Sequence, residues 1–508
     1  MTDPVDAARP WRELSLADPV AAASEGVTRD VVDVDGDDAA RSGHPLLQQI
    51  AADWSGDEPP TARHIMRWRK VADQATVAAA IDAVIARRRL EDRWPEAERA
   101  LSDREGAEQA TAVDVSRPKM QRLAEGAPVV WDLGCGAGGD AMRLVELPHV
   151  RRIVLVDRDE RRLRMAMHNV ALAGHAVGRP TLVRWSSTAA DADASPPRVG
   201  SSACELVGVA ETIDAAFATH CAGAAVHLDP SRRQELQGRR RLRLEDHDPG
   251  PDVIAALVTK AWRLAVKLGP GVSAAELSAA NQAASETANQ AASETADEPA
   301  NEPADDLANV GLGRAELEYI ARAGRMVQAV AWYGDGASVH GRRATQSGLA
   351  RTERVTIAGD AASDDATWSH LVAHGPPAPG DCLLVPHPAI ERARLVWTAL
   401  AASVPEGFAA SELAPGLGII ATPEPVASPW FTAWTVREVM PWRLERVRER
   451  LRALDAGIVT VRTRGGAVDP DVASRKLRGR GEVPIDLHVL RVGRRLEAFL
   501  VDKMPSEG

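Results

Sequence analysis

The sequence predicts an α/β protein: a mostly parallel sheet in the middle of the chain, a helical segment ahead of it and a small α/β module behind it. Three observations carry this. An apolar run, Val129-Val130-Trp131, feeds a glycine-rich turn, Asp132-Leu133-Gly134-Cys135-Gly136-Ala137-Gly138-Gly139. Further short apolar runs follow at spacings that suit strands alternating with helices. From Gly380 onward, strand-like and helix-like stretches alternate again.

The chain has 508 residues, enough for two or three domains. Its net charge of −11 excludes an overall affinity for nucleic acid, so charge must be read by region. Cys135, Cys204, Cys221 and Cys382 have no C-x-x-C spacing, which argues against a disulfide scaffold or a metal site and fits a reducing cytoplasm. No apolar stretch reaches membrane-spanning length, and the N-terminus lacks a signal pattern, so no membrane association is expected.

In chain order, residues 1–44 are acidic and Ala/Asp-rich and are expected to be a disordered tail. Residues 45–120 read as a helical domain. Ile65, Trp68 and Val71 recur at helical spacing, and Thr76 is expected to cap a helix over 77–90. Its Arg63, Arg67, Arg69, Lys70 and Arg87–Arg89 are either solvated helix faces or a nucleic-acid-facing surface. Gln109 and Thr111, just ahead of the first strand, can supply side-chain hydrogen bonds to a ligand or cap local structure.

The core is expected over 121–336. After the first strand, Gly134, Gly136, Gly138 and Gly139 let the backbone turn and let a ligand lie against it, with Cys135 in the turn; a helix should follow Asp140. Ile153 to Val156 is the second strand. It ends in Asp157-Arg158, where an acid can accept hydrogen bonds from a ribose diol. Gly134, Gly136 and Gly139 formally allow a nicotinamide dinucleotide. Asp132 argues instead for a ligand bearing an ammonium and a sulfonium, S-adenosyl-L-methionine, since a carboxylate there opposes a diphosphate.

A helix over 160–173 and a third strand over 181–185 should follow. Residues 188–205 read as a Ser/Pro/Asp-rich insertion, with Asp191 or Asp193 as the adenine-contacting acid. A short helix over 211–218 and a fourth strand over 224–228 lead to Asp229-Pro230-Ser231-Arg232-Arg233, at the substrate side of the sheet. There Asp229 can bind or deprotonate an attacking group, and Arg232 and Arg233 can hold a phosphate or carboxylate. Asp-Pro also starts ordinary turns. A helix over 251–261, a fifth strand over 263–268 and a hairpin, 316–320 with 326–333, complete the sheet. Between them, 273–306 is a low-complexity insertion with a direct eight-residue repeat, ANQAASET.

Residues 337–380 read as a connector and 381–508 as the C-terminal module. The module should contain helices over 391–402, from Trp442 and over 470–477, strands over 432–439 and 457–464, and a hairpin of 487–492 with 495–501. Between Arg437 and Arg480 stand twelve Lys/Arg against six Asp/Glu, near +6. Clustered arginine on one module is the footprint of phosphate-backbone binding, or else a solvated helix face.

Asp132-Leu133-Gly134-Cys135-Gly136 resembles motif I of the class I S-adenosylmethionine-dependent methyltransferases. The wider order is similar to a bacterial methyltransferase family with a THUMP-like C-terminal domain. Its marks are Glu108-Gln109-Ala110-Thr111, Asp229-Pro230-Ser231-Arg232-Arg233, Val266-Lys267-Leu268-Gly269-Pro270-Gly271, Glu316-Leu317-Glu318 ahead of Trp332, and Arg464-Gly465 through Leu477-Arg478-Gly479-Arg480-Gly481. The resemblance implies a Rossmann-like sheet of seven strands closed by an antiparallel 6–7 hairpin, with S-adenosyl-L-methionine as cofactor. It also implies RNA, tRNA or rRNA, as substrate. Acid-proline motifs of amino-methylating enzymes usually continue with proline and an aromatic; Ser231-Arg232 stands here instead. Two alternatives remain open on the sequence: a small-molecule or protein methyltransferase, and a catalytically silent RNA-binding protein that kept the core.

Overall fold

The computed structural model describes residues 32–33, 45–54, 58–193, 202–232, 244–273, 275–277, 315–338, 341–348, 354–360 and 372–504. The chain divides into two compact units. The first is Met1–Leu317 with Gln328–Val339; the second is Glu318–Val327 with His340–Gly508. Apart from β1 (Val32–Asp33), which pairs antiparallel with Val183 and Leu182, the expected N-terminal tail lies outside the described residues, as does most of 273–306.

The first unit opens with α1 (Pro45–Asp53), α2 (Ala62–Trp68) and α3 (Gln74–Leu90). Thr61 caps α2, and its Trp68 is fully buried while Val71 is exposed. Thr76 is not the cap of α3. Asp73 takes that role, accepting the Thr76 N–H at 2.9 Å, and Thr76 is buried inside the helix. Leu46, Ile50, Trp68, Ala80 and Val84 form one core with Met165. Next come α4 (Arg104–Gln109) and α5 (Val113–Ala124). The Arg263 guanidinium donates to the carbonyls of Arg122, Leu123 and Glu125, satisfying the unpaired C-terminal end of α5.

The sheet follows as β2 (Val129–Leu133), β3 (Arg152–Val156), α6 (Glu160–Ala176), β4 (Thr181–Ser186), α7 (Ala189–Asp193), β5 (Cys204–Val209), β6 (Ala225–Leu228), β7 (Ser231–Arg232), β8 (His247–Asp248), α8 (Pro251–Lys260), β9 (Arg263–Leu268), β10 (Glu316–Arg322) and β11 (Arg325–Gly334). In the first unit the strand order is β1-β4-β5-β3-β2-β6-β9-β11. The strands from β4 to β9 are parallel, and β11 runs antiparallel to β9. β10 is the other arm of the expected hairpin, turned through Ala323 and Gly324, both at positive φ.

Three expectations need correction. The sheet exceeds seven strands, because β5 runs between β4 and β3 and β1 pairs onto β4. All six residues of Cys204–Val209 are buried, and the strand's first two residues are the last two of the expected polar insertion, 188–205. The helix after Asp140 shrinks to a 3-10 turn, Ala141–Arg143. Its irregular continuation is held by Arg179, which donates to the carbonyls of Val145 and Leu147 at 2.8 and 2.6 Å. The helix expected over 211–218 is a 3-10 segment, Ala216–Cys221.

In the second unit the stretch read as a connector supplies β12 (Arg342–Ser347) and β13 (Val355–Gly359), an antiparallel pair. β14 (Cys382–Pro386) precedes α9 (Pro388–Ala393) and α10 (Val396–Ala401); Arg394, in the left-handed region, splits the single helix expected there. β15 (Ser411–Glu412), β16 (Ile420–Thr422), β17 (Phe431–Pro441), α11 (Leu444–Ala453), β18 (Ala456–Thr463), α12 (Pro470–Leu477), β19 (Val483–Val492) and β20 (Arg495–Lys503) complete it. The sheet order is β15-β16-β14-β17-β20-β19-β18. Side chains alternate between two cores: Leu487, Val489, Ala498 and Leu500 on one face, Leu490, Phe499 and Val501 on the other. α11 and α12 cover the first face with Val447, Leu451, Ala473 and Leu477.

His168 and His488 are both 3 % exposed, and burial lowers each imidazole to about 4 from an ordinary 6.5. The unfolded chain therefore takes up a proton below pH 6.5 that the folded chain refuses until about pH 4, and stability falls across that window as pH falls. Between pH 7 and pH 5 each histidine is expected to cost about 2 kcal/mol. Thermal unfolding at the two pH values checks this. A His168→Gln/His488→Gln protein should have a flatter slope, and an unchanged slope would exclude the two histidines as its source.

Candidate active site

Register sets the site. Leu133 pairs with Val156 and with Leu228, and Leu228 pairs with Val266. The next residue on each strand is Gly134, Asp157, Asp229 and Lys267, so all four stand at one level of the sheet's carboxyl edge, where ligands bind in such folds.

The glycines divide by role. Gly134 has φ +72°, and an added Cβ would lie 2.6 Å from the Asp229 carbonyl oxygen, so the loop and the Asp229 turn touch directly. Gly136 has φ +53° and open space where a Cβ would stand; its N–H donates to Asp157 Oδ2 at 3.0 Å. That open face suits a ligand lying on the main chain. Gly138 faces Ala166 of α6 and Gly139 faces the Trp94 ring, so these two serve packing. Asn169 anchors the loop from beneath, donating to the carbonyls of Ala137 and Leu101 at 2.9 and 2.7 Å. Cys135 is buried, and burial with the nearby charges of Asp157 and Asp132 pushes its thiol well above the ordinary range. It is no nucleophile at neutral pH.

Asp157 is buried and also accepts the Asp159 N–H at 2.9 Å. Burial raises its carboxyl above the usual range against those two N–H bonds. Each carboxylate oxygen keeps acceptor capacity for a diol. Arg158 points away into an exposed ion pair with Asp248 at 2.6 Å.

Behind the edge lies a buried polar chain that sequence reasoning missed. Asp132 is 1 % exposed and meets His227 Nδ1 at 2.7 Å. His227 Nε2 lies 3.1 Å from Lys119 Nζ, and Lys119 Nζ lies 2.9 Å from Asp140 Oδ2. The tautomer satisfying both ring contacts carries its proton on Nδ1. Thr111 Oγ1 donates to Asp140 at 3.1 Å. The segment holding Thr111 is fixed by Trp94, whose indole N–H donates to the Thr111 carbonyl at 2.9 Å. Lys267 completes the group, 2.7 Å from Asp229 Oδ2 and 4.0 Å from Asp140 Oδ2.

Burial alone would raise the Asp140 carboxyl; the charges of Lys119, His227 and Lys267 outweigh it and hold the group well below the carboxylate range. Burial lowers the Lys119 ammonium despite Asp140. Burial opposes the charge of Lys267 as well, but Asp229 and Asp140 outweigh it and keep that ammonium protonated. The signals legible in sequence were a histidine and a lysine inside otherwise apolar strand ends, Val226-His227-Leu228 and Val266-Lys267-Leu268.

The site therefore brings together Asp132, Gly134, Gly136, Asp157, Thr111 and Asp229. Gln109 is elsewhere, its amide donating to Glu105 on an exposed helical turn. Pro230 is buried behind Asp229. Arg232 lies in β7, paired with His247, and Arg233 lies outside the described residues. Asp191 accepts the Thr188 hydroxyl beyond β4, two strands from β3, so the position just past the strand beside β3 belongs to Ala210-Glu211 instead.

The residues present fit S-adenosyl-L-methionine better than a dinucleotide. Asp132, Asp140, Asp157 and Asp229 outnumber Lys119 and Lys267, a local surplus of carboxylate that favours a cationic ligand and repels a diphosphate. Asp132 Oδ2 and Asp140 Oδ1 are buried without a hydrogen-bond partner among the described residues. Asp132 itself is enclosed, so it acts on a ligand through charge and through His227. Among the described residues no cluster of His, Cys, Asp or Glu could hold a metal, and no helix is long and apolar enough to cross a membrane.

Comparison with known proteins points to the same cofactor. Residues 431–503 match the THUMP domain-like family. Two Mycobacterium tuberculosis proteins, from strains CDC 1551 / Oshkosh and ATCC 25618 / H37Rv, are each 27 % identical over 396 residues, 77 % of this chain and 84 % of theirs. Both are described as uncharacterised S-adenosylmethionine-dependent methyltransferases. A crystal structure from Porphyromonas gingivalis W83, named as that of a methyltransferase, has the same fold at 12 % identity. It has a TM-score of 0.61 and covers 91 % of this chain and 98 % of its own. The chain is thus a homologue of the S-adenosylmethionine-dependent methyltransferases, with a THUMP-like domain at its C-terminal end.

Proposed function

We propose that this methyltransferase homologue methylates RNA, tRNA or rRNA, with the cofactor on Gly134–Gly136 and Asp157 and the acceptor at Asp229. When bound, S-adenosyl-L-methionine supplies an electrophilic methyl group on sulfonium. The chain's own residues then have to place the acceptor in line, exclude water and take one proton. From their place in the sequence after Asp229-Pro230, Arg232 and Arg233 are assigned to hold acceptor phosphate.

The observation that carries the RNA reading is the arginine surface of the second unit. Arg443, Arg446, Arg452, Arg475, Lys476, Arg478 and Arg480 are exposed, and among the described residues none has an ion-pair partner. They lie on or beside α11 and α12, which share one core, so their charges gather on one side of the module. Arg450 and Arg462, by contrast, are taken up by Glu438 and Asp486. Seven unpaired cations against the exposed Glu445, Glu449 and Asp471 of the same two helices leave a local positive surplus in a chain of −11, a surface suited to a polyanion.

Arg446→Glu/Arg478→Glu is expected to weaken RNA binding about 100-fold at 100 mM salt. The slope of log affinity against log salt should fall by about 1.4 to 1.8, since each of the two phosphate contacts contributes roughly 0.7 to 0.9. Filter binding across a salt series measures both. Full salt dependence in the variant would remove this face from the RNA interface.

A further inference from the structure

We infer that the methyl acceptor at this site is a hydroxyl oxygen, and that Lys267 and Asp229 together prepare it: Asp229 takes its proton, and Lys267 stabilises the alkoxide. With the RNA reading above, that hydroxyl is a ribose hydroxyl; the choice of oxygen over nitrogen stands on the geometry alone.

Three observations carry it. The Lys267 ammonium lies 2.7 Å from Asp229 Oδ2, at the level of the sheet where Gly134 and Asp157 stand. An amine that attacks a sulfonium methyl develops positive charge on nitrogen, which the surrounding carboxylates favour and the Lys267 ammonium, bonded to Asp229, opposes. A hydroxyl that attacks develops negative charge on oxygen, which the same ammonium stabilises. The Lys267 ammonium is also fixed in place. Asp140 Oδ2 stands 4.0 Å away on its other side, and Asp140 is itself anchored by Lys119 and Thr111.

Asp229 presents the right second function. Its Oδ2 is occupied by Lys267, while no bond within the described residues engages its Oδ1, and its side chain is 34 % exposed. A carboxylate oxygen so placed accepts the proton of an incoming hydroxyl and can return it to solvent. Finally, the residues after Asp229-Pro230 are Ser231 and Arg232, which enter β7 and pair with β8. In the sequence no aromatic residue follows the acid-proline step, so this turn itself lacks the ring that stacks on a splayed nucleobase.

The step balances without another reactant. The hydroxyl O–H breaks, its proton going to Asp229 Oδ1 and then to solvent. The oxygen forms a bond to the methyl carbon, the carbon–sulfur bond breaks, and its electron pair stays on sulfur, leaving a neutral thioether. The Asp229 carboxylate and the Lys267 ammonium end as they began.

The test uses the full chain, S-adenosyl-L-methionine with a deuterated methyl group, and RNA, protein and metabolite fractions from a strain lacking the protein. Products are digested and fragmented by mass spectrometry. Label that stays with the sugar when a nucleoside loses its base supports both the hydroxyl and the RNA reading. Label on the base overturns the hydroxyl inference and leaves RNA as substrate. Label as a methyl ether outside RNA keeps the hydroxyl and removes RNA, and label on nitrogen or sulfur outside RNA removes both.

The role of Lys267 is read separately from pH profiles. Lys267→Met is expected to lose about 100-fold in rate at pH 7.5 and to recover as pH rises, because hydroxide then makes the alkoxide. Lys267→Arg should keep the rate within about tenfold. Thermal unfolding confirms that both variants are folded. A Lys267→Met protein whose profile parallels that of the unaltered protein would make Lys267 structural and overturn its assigned role.

Discussion

Asp140→Ala is expected to lower the stability of the first unit by about 3 to 5 kcal/mol, the range for breaking a fully buried ion pair from one side. Asp140 is 6 % exposed and Lys119 3 %. Without the carboxylate, the Lys119 ammonium is left beside a histidine nitrogen and the Lys267 ammonium, with no anion at hydrogen-bond distance. The loss should depend on pH, and the sign follows from Lys119. Burial already holds its folded pKa below the ordinary 10.5, and removing Asp140 lowers it further. The unfolded chain then binds the proton more tightly than the folded one, so the variant gains stability as pH rises toward 10.5. Urea unfolding followed by tryptophan fluorescence at pH 7 and pH 9 tests this. Lys119→Met/Asp140→Leu should recover much of the loss, because two apolar side chains leave no charge stranded. An Asp140→Ala protein as stable as the original at pH 7 would mean that water reaches Lys119 and that the chain from Asp132 to Asp140 is not sealed.

What could be read from the sequence, and what could not, follows one physical line. The glycine turn, the ends of β2, β3, β6 and β9, the antiparallel β11 and the helix Pro470–Leu477 were legible because each is written locally, as an apolar run meeting a turn residue or as a helical period. The polar chain behind the sheet edge was not, because its bonds close over long separations: Lys119 to His227 spans 108 residues, and His227 to Asp132 spans 95. No periodicity records such a pairing. β5 was hidden by its polar flanks, since a six-residue strand buried on both faces gives no alternation to detect. Arg179 and Asn169 belong to the same class. Each holds irregular backbone by donating to carbonyls far away in sequence, which neither composition nor spacing reveals. Asp132 shows the limit within a motif. Its position at the turn was legible, but its enclosure against His227 was not.

The glycine loop gives the sharpest separation between folding and binding. Gly136→Ala should leave the free protein nearly unchanged, losing about 1 to 2 kcal/mol for alanine in the left-handed region, because nothing lies within 4 Å of the added Cβ. Its cofactor affinity should nevertheless fall at least 100-fold, since the methyl group would occupy the open face against which a ligand lies. Gly134→Ala should do both. Its Cβ would meet the Asp229 carbonyl oxygen at 2.6 Å, backbone against backbone, with φ at +72°. Relief requires the ends of β2 and β6 to part, although the Asp229 N–H donates to the Leu133 carbonyl at 2.9 Å and holds them together. The expected loss is about 3 kcal/mol or more in stability, with cofactor binding and methyl transfer both abolished. Equilibrium dialysis with labelled S-adenosyl-L-methionine, alongside thermal unfolding, distinguishes the two variants. If Gly136→Ala binds the cofactor as well as the unaltered protein does, the ligand does not lie on this loop, and the site must be sought elsewhere along the sheet edge.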